Sequence, residues 1–125
     1  MVLRQANSAL ESGDRGIPGP IGRRMTNALR VWAVGPTGLP ATDGELTEPQ
    51  LPLIPGHQIV GRVEQLGKGV STFQVGDRVG VPWLGGSCGH CGFCSSGAEN
   101  LCDEALYTGY QINGGFAEYT VADER

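Results

Sequence analysis

The sequence predicts a mainly β, barrel-like domain from which a metal-binding loop projects. Three observations carry that prediction. Glycine and proline are dense, at 21 and eight of 125 residues, which breaks helices repeatedly and favours short strands joined by turns. Several short segments alternate apolar and polar residues with the period of a strand. All four cysteines fall in one stretch, CGHCGFCSSGAENLC, at 88–102.

Taken in order, residues 1–27 form a poorly defined N-terminal segment. GDRGIPGPIGRR shows neither helical nor strand period and reads as loop or tail, with a short helix over 6–11 the one element expected. Residues 28–34 (ALRVWAV) read as a strand, with Leu29, Val31 and Ala33 on one face. Residues 35–55 are turn-rich, and Pro36, Pro40, Pro49, Pro52 and Pro55 argue against a helix there. HQIVGRVEQLG is a second strand, with Ile59, Gly61 and Val63 on one face and Val60, Arg62 and Glu64 on the other. Gly61 inside it marks a bulge or a close backbone approach. Asp77 and Arg78 lead into a third strand over 79–81. Leu84, Gly85 and Gly86 read as turn residues beside the cysteine stretch. Asn113-Gly114 signals the turn of a hairpin, followed by a strand in which Phe116, Glu118 and Thr120 alternate with Ala117, Tyr119 and Val121.

The cysteines Cys88, Cys91, Cys94 and Cys102 follow the pattern Cys-x2-Cys-x2-Cys-x7-Cys. Two-residue gaps turn consecutive thiolates toward one point, and the longer return closes a tetrahedron around Zn²⁺ at about 2.3 Å per Zn–S bond. Four sulfurs with no open position describe a structural rather than a catalytic zinc. Two other chemistries compete. An iron–sulfur run places its last cysteine after three residues and before a proline, whereas here the gap is seven and Asp103 follows Cys102. Disulfides between cysteines three apart would be strained, and nothing suggests secretion. Gly86, Gly89, Gly92 and Gly97 supply the freedom of a tight metal knuckle. His90 lies inside the loop and reads as a solvated histidine, because four thiolates already fill the metal's shell.

Length suits one compact domain. A net charge of −4 gives no basic surface for nucleic acid. No apolar run approaches a membrane span, and MVLRQANSAL lacks the apolar core of a signal peptide. With reduced cysteines as metal ligands, the expected location is the cytoplasm.

GHQIVGRVEQLGKGV, VGDRVGVPW, CGHCGFCSSGAENLC and TGYQINGGFAEYTVAD together resemble the N-terminal catalytic domain of zinc-dependent medium-chain alcohol dehydrogenases. The likeness is clear over 43–123 and fades before Gly35. It implies a GroES-like, partly open β-barrel over 28–125 with the zinc loop projecting. It also implies a partner Rossmann domain for NAD(P), a small alcohol or carbonyl substrate, and oxidation of primary or secondary alcohols to aldehydes or ketones. No GxGxxG follows a strand in this sequence, so the chain is expected to be a fragment without that cofactor domain.

The resemblance further implies a catalytic zinc held by two cysteines and a histidine. His57, in Gly56-His57, matches the histidine ligand; a buried structural histidine is the alternative. The family's next residue is usually glutamate and here is Gln58, which keeps hydrogen bonding but loses charge. Where the family reads Cys-Arg-Thr-Asp-Leu-His, this chain reads Gly35-Pro36-Thr37-Gly38-Leu39-Pro40. The first ligand, the orienting aspartate and the relay histidine thus fall on Gly35, Gly38 and Pro40, and no cysteine precedes Cys88. Thr37 matches the hydroxyl that takes the alcohol proton, with a plain turn threonine as the alternative. One structural zinc, a remnant catalytic ligand and no turnover by the chain alone are therefore expected. A non-catalytic zinc-stabilised β-domain is the competing reading. Apolar surface at Trp32, Trp83 and Leu84, left for a partner domain, leads to expected self-association.

Overall fold

Four strands form one antiparallel sheet, in the spatial order 78–81, 58–66, 24–33 and 119–123. The structure is a computed structural model describing residues 1–5, 10–14, 16–33 and 51–125, with backbone alone for 30–33. The strands are β1 (Arg24–Ala33), β2 (Gln58–Leu66), β3 (Arg78–Val81) and β6 (Tyr119–Asp123). Two short strands, β4 (Leu84–Gly86) and β5 (Leu106–Tyr107), pair with each other and close the neck of the cysteine loop. Within that loop lie a one-turn helix α1 (Gly92–Ser95) and a 3-10 turn (Glu99–Leu101). The architecture is mainly β, and among the described residues the sheet is open rather than closed on itself.

The alternation read for β2 is the one observed. Ile59, Gly61 and Val63 are buried, while Arg62 and Glu64 are exposed. A side chain at Gly61 would place its Cβ 2.5 Å from the Ala28 carbonyl oxygen. The β1–β2 register shifts at this point, between Leu29 and Val31. Bulge and close approach occur together. Two small cores flank the bulge: Met25, Val63 and Val79 with Phe73, and Ile59, Val81 and Ala122 with Leu29.

Four expectations change. β1 begins at Arg24, four residues before the expected start, because a second register shift between Thr26 and Asn27 breaks the alternation there. Met25, Thr26 and Asn27 are consequently all buried in succession. Nor is the first segment featureless: Val2 pairs with Glu11, Leu3 pairs with Leu53, and both Val2 and Leu3 are buried. Residues 6–9, most of the helix expected over 6–11, lie outside the described residues.

Asn113-Gly114 is not a hairpin turn. β6 pairs with β1, 91 or more positions back in the chain, and with no strand just before it. Gly114 also lacks the positive φ that a two-residue hairpin turn demands. Instead the Asn113 side chain accepts from the Ile54 amide at 3.0 Å, and the Gly114 amide donates to the Ile54 carbonyl at 2.6 Å. A Cβ on Gly114 would meet the Gly56 carbonyl oxygen. The pair is thus docked on the segment that leads to His57. Leu84, Gly85 and Gly86, expected as turn, are the strand β4, where Gly85 has no space for a side chain beside Thr108 and Ile112.

Candidate metal centre

Cys88, Cys91, Cys94 and Cys102 converge, with their sulfurs all within 4.8 Å of one another. The cysteines are unbridged. Cys88 Sγ and Cys94 Sγ are 3.8 Å apart. A tetrahedron with Zn–S bonds of about 2.3 Å has edges of about 3.8 Å, so the spacing suits that ion. Local backbone geometry sets it up. The Cys91 amide donates to Cys88 Sγ at 3.3 Å and the Cys94 amide to Cys91 Sγ at 3.5 Å, so each sulfur lies over the next turn. Of the four glycines expected to free the knuckle, Gly89 and Gly97 take positive φ, at 77° and 79°.

The electrostatics also suit a divalent cation. Amide donation from His90 and Cys91 brings the Cys88 thiol down to about 6. The Cys94 thiol is lowered too, first by the Ser87 hydroxyl. Cys91 receives a lowering hydrogen bond from the Cys94 amide, yet burial and the surrounding sulfurs carry it up to about 11. Thiolates are encouraged at some positions and crowded at the next. A cation at their centre removes that conflict.

His90 is exposed, as read, but it is not idle: its Nδ1 donates to the Cys88 carbonyl at 3.0 Å. Its ring, Glu104 and Cys88 form a second convergent group. Neither Glu104 nor this grouping was visible in the sequence, because Glu104 reaches it only through the fold of the loop.

His57 sits apart from the cysteine cluster's donors. It follows Gly56, whose φ is 95°, and immediately precedes β2. The ring is half-buried, its centroid lies 6.0 Å from that of Trp83, and burial lowers its pKa. Trp83 in turn stacks on Tyr107 at 4.6 Å, an aromatic row that no sequence period signals. Among the described residues His57 belongs to no group of three potential metal ligands. Gln58 is exposed. Thr37, Gly35, Gly38 and Pro40 lie outside the described residues, as does the side chain of Trp32.

With sheet and lobe in place, comparison with known proteins gives a consistent answer. The family profile for the alcohol dehydrogenase GroES-like domain matches residues 28–125. An alcohol dehydrogenase of Geobacillus stearothermophilus is 49% identical over 92 residues, covering 73% of this chain and 27% of that protein. One from Moraxella sp. (strain TAE123) is 39% identical over 123 residues, covering 98% and 36%. Among solved structures, an NAD-dependent alcohol dehydrogenase aligns at TM-score 0.87 with 31% identity, over 98% of this chain and 36% of that one. A cobalt- and zinc-bound thermostable alcohol dehydrogenase from Pyrobaculum aerophilum aligns at 0.86 with 26% identity, over 98% and 39%. The chain belongs to the alcohol dehydrogenase GroES-like domain family. It spans about a quarter to two fifths of the length of these relatives. No helix among the described residues is long and apolar enough to cross a membrane.

Proposed function

We propose that this chain supplies the GroES-like domain of a cytoplasmic, NAD(P)-dependent alcohol dehydrogenase, with one structural zinc in the cysteine lobe. Primary or secondary alcohols are the substrates and aldehydes or ketones the products. The observation that carries the reading is the convergence of Cys88, Cys91, Cys94 and Cys102 at zinc-thiolate spacing inside the stretch matched to the family. Zinc, when bound there, supplies a cross-link between the two arms of the loop and no reactive position.

The chain's own residues divide unevenly between structure and chemistry. The lobe cysteines hold the loop that β4 and β5 gather at its neck. His57 is the remnant of a catalytic ligand set, presented by Gly56 beside Trp83. Thr37 is the proton-relay hydroxyl of this reading. Gly35, Gly38 and Pro40 offer no side chain that binds a metal or carries a proton, and every cysteine of the sequence is in the lobe. The chain by itself therefore turns over no alcohol. Trp83, 43% exposed beside half-buried Leu84, supports self-association in the absence of a covering domain.

The test is metal content together with turnover. Purified chain is expected to hold one zinc and to leave NAD⁺ unreduced with ethanol or 2-propanol. A second equivalent of zinc, or measurable NADH, overturns the account of His57 and its missing companions.

A further inference from the structure

Arg125 reaches the cysteine lobe from the main sheet. Its Nη1 lies 2.6 Å from the point where a Cβ on Gly89 would stand. The guanidinium therefore occupies space directly over the Cys88–Cys91 knuckle, and that space exists because residue 89 has no side chain. Asp123 aims it there. Arg125 Nε donates to Asp123 Oδ1 at 2.9 Å, Nη2 to Oδ2 at 3.4 Å, and the Arg125 amide to Oδ1 at 3.1 Å. Asp123 is the last residue of β6 and pairs with Arg24 of β1, so the brace is anchored in the sheet.

Charge gives this contact a purpose. Four thiolates around one divalent cation leave a net charge of about −2. Such a centre releases its metal more readily when nothing nearby offsets the excess. We propose that Arg125 is the outer cation of the metal lobe, held by Asp123 and admitted by Gly89, and that it slows loss of the lobe's zinc. The inference rests on the reading that the lobe binds zinc. Hydrogen bonding to Asp123 raises the Arg125 pKa, and the charge of Cys94 adds to that effect, so the guanidinium already lies in the field of the sulfurs. Asp123 is then a positioning residue and not a ligand. Its own carboxyl stays below the usual range: burial opposes this, but hydrogen bonds and charge from Arg125 outweigh it.

The experiment loads the full chain with zinc and follows transfer of the metal to the chromophoric chelator 4-(2-pyridylazo)resorcinol. Parent, Arg125→Gln and Arg125→Lys are compared at low ionic strength and at 1 M salt, with circular dichroism as the check on folding. Removing an outer partner of a metal site typically costs 10–100-fold, and a half-exposed arginine belongs at the low end. Arg125→Gln is expected to release zinc about tenfold faster at low salt. Arg125→Lys should recover most of the difference, since it keeps the charge without the fork. At 1 M salt the screening length falls to about 3 Å, and the gap should shrink. Equal release rates at low salt overturn the proposal, as does a gap that neither salt nor lysine reduces, which would mean packing alone. A chain that binds no zinc removes both readings; one zinc per chain with equal rates removes this one only.

Discussion

The Ser71 amide donates to Glu124 Oε2 at 2.9 Å, joining the loop between β2 and β3 to the residue that follows β6. The same oxygen accepts from the Thr72 amide at 3.1 Å, and Arg23 pairs with Oε1 at 2.7 Å. One buried carboxylate thus ties together a loop, the approach to β1 and the exit from β6. Its pKa is held below the ordinary value of 4.5, first by the Ser71 amide, with burial opposing and Thr72 and Arg23 assisting.

Acid should loosen this tie. A depressed carboxyl contributes stability in full above its unfolded pKa, and the contribution is lost as pH falls through the lower folded value. The melting temperature should hold above about pH 5 and drop below about pH 4.5, the ordinary carboxyl value. Glu124→Gln should melt lower near neutrality and show a shallower acid decline. Parallel pH profiles for parent and variant would remove Glu124 from the explanation.

Gly61 tests the bulge. Its Cβ position lies 2.5 Å from the Ala28 oxygen, with the Ala28 carbonyl carbon at 3.2 Å, so the obstacle is backbone and cannot rotate away. Gly61→Ala is expected to cost about 1–3 kcal/mol by overpacking. In a domain of this size that is a fall of several degrees in melting temperature, read by calorimetry. A variant as stable as the parent would show that β1 and β2 separate there at little cost.

Asn113 works as an acceptor for the Ile54 amide, which distinguishes it from a hairpin-turn asparagine. Asn113→Gly would be welcome in a two-residue turn. Here it should cost about as much as Asn113→Ala, about 0.5–1.5 kcal/mol for one lost hydrogen bond. Asn113→Asp, which keeps the acceptor, should be nearly neutral. Urea denaturation of the three variants ranks them, and a stabilised glycine variant would favour the turn.

Chelation should act locally. Residues 87–105 have no paired strand inside the β4–β5 neck, and α1 buries none of its residues. Removing metal is therefore expected to expose this loop to limited proteolysis while the four-stranded sheet keeps its far-ultraviolet signal. Cleavage at unchanged rate within the loop would show that its ordering does not depend on the metal.

How much the sequence disclosed varied with the range of each interaction. The cysteine spacing is local, and the lobe could be read from it directly. Residues 58–64 keep a clean alternation, so β2 and the special place of Gly61 were visible as well. At 25–27 a bulge buries three residues in a row, and a period-two search sees nothing there. Leu3 is buried by pairing with Leu53, and Asn113 is recruited by Ile54. Those partners lie 50 and 59 positions away, and no local pattern announces them. Arg125 belongs to the same class: its role depends on a glycine 36 residues earlier being brought beneath it. For His57 the motif named a residue, but Gly35 and Thr37, which stand where the resemblance puts a ligand and the proton relay, lie outside the described residues.

The lobe's position in the chain has a kinetic consequence. It is inserted between β3 and β6, so the sheet gains its last strand only after the 82–118 connection has closed. Doubling a loop adds only about 0.6 kcal/mol to its closure, and a clamp across 88–102 shortens this connection by less than half. Assembly of the sheet is thus nearly indifferent to whether the clamp is fastened. On the proposed zinc reading, metal can therefore arrive late, on a scaffold already built, and folding and loading are separable events.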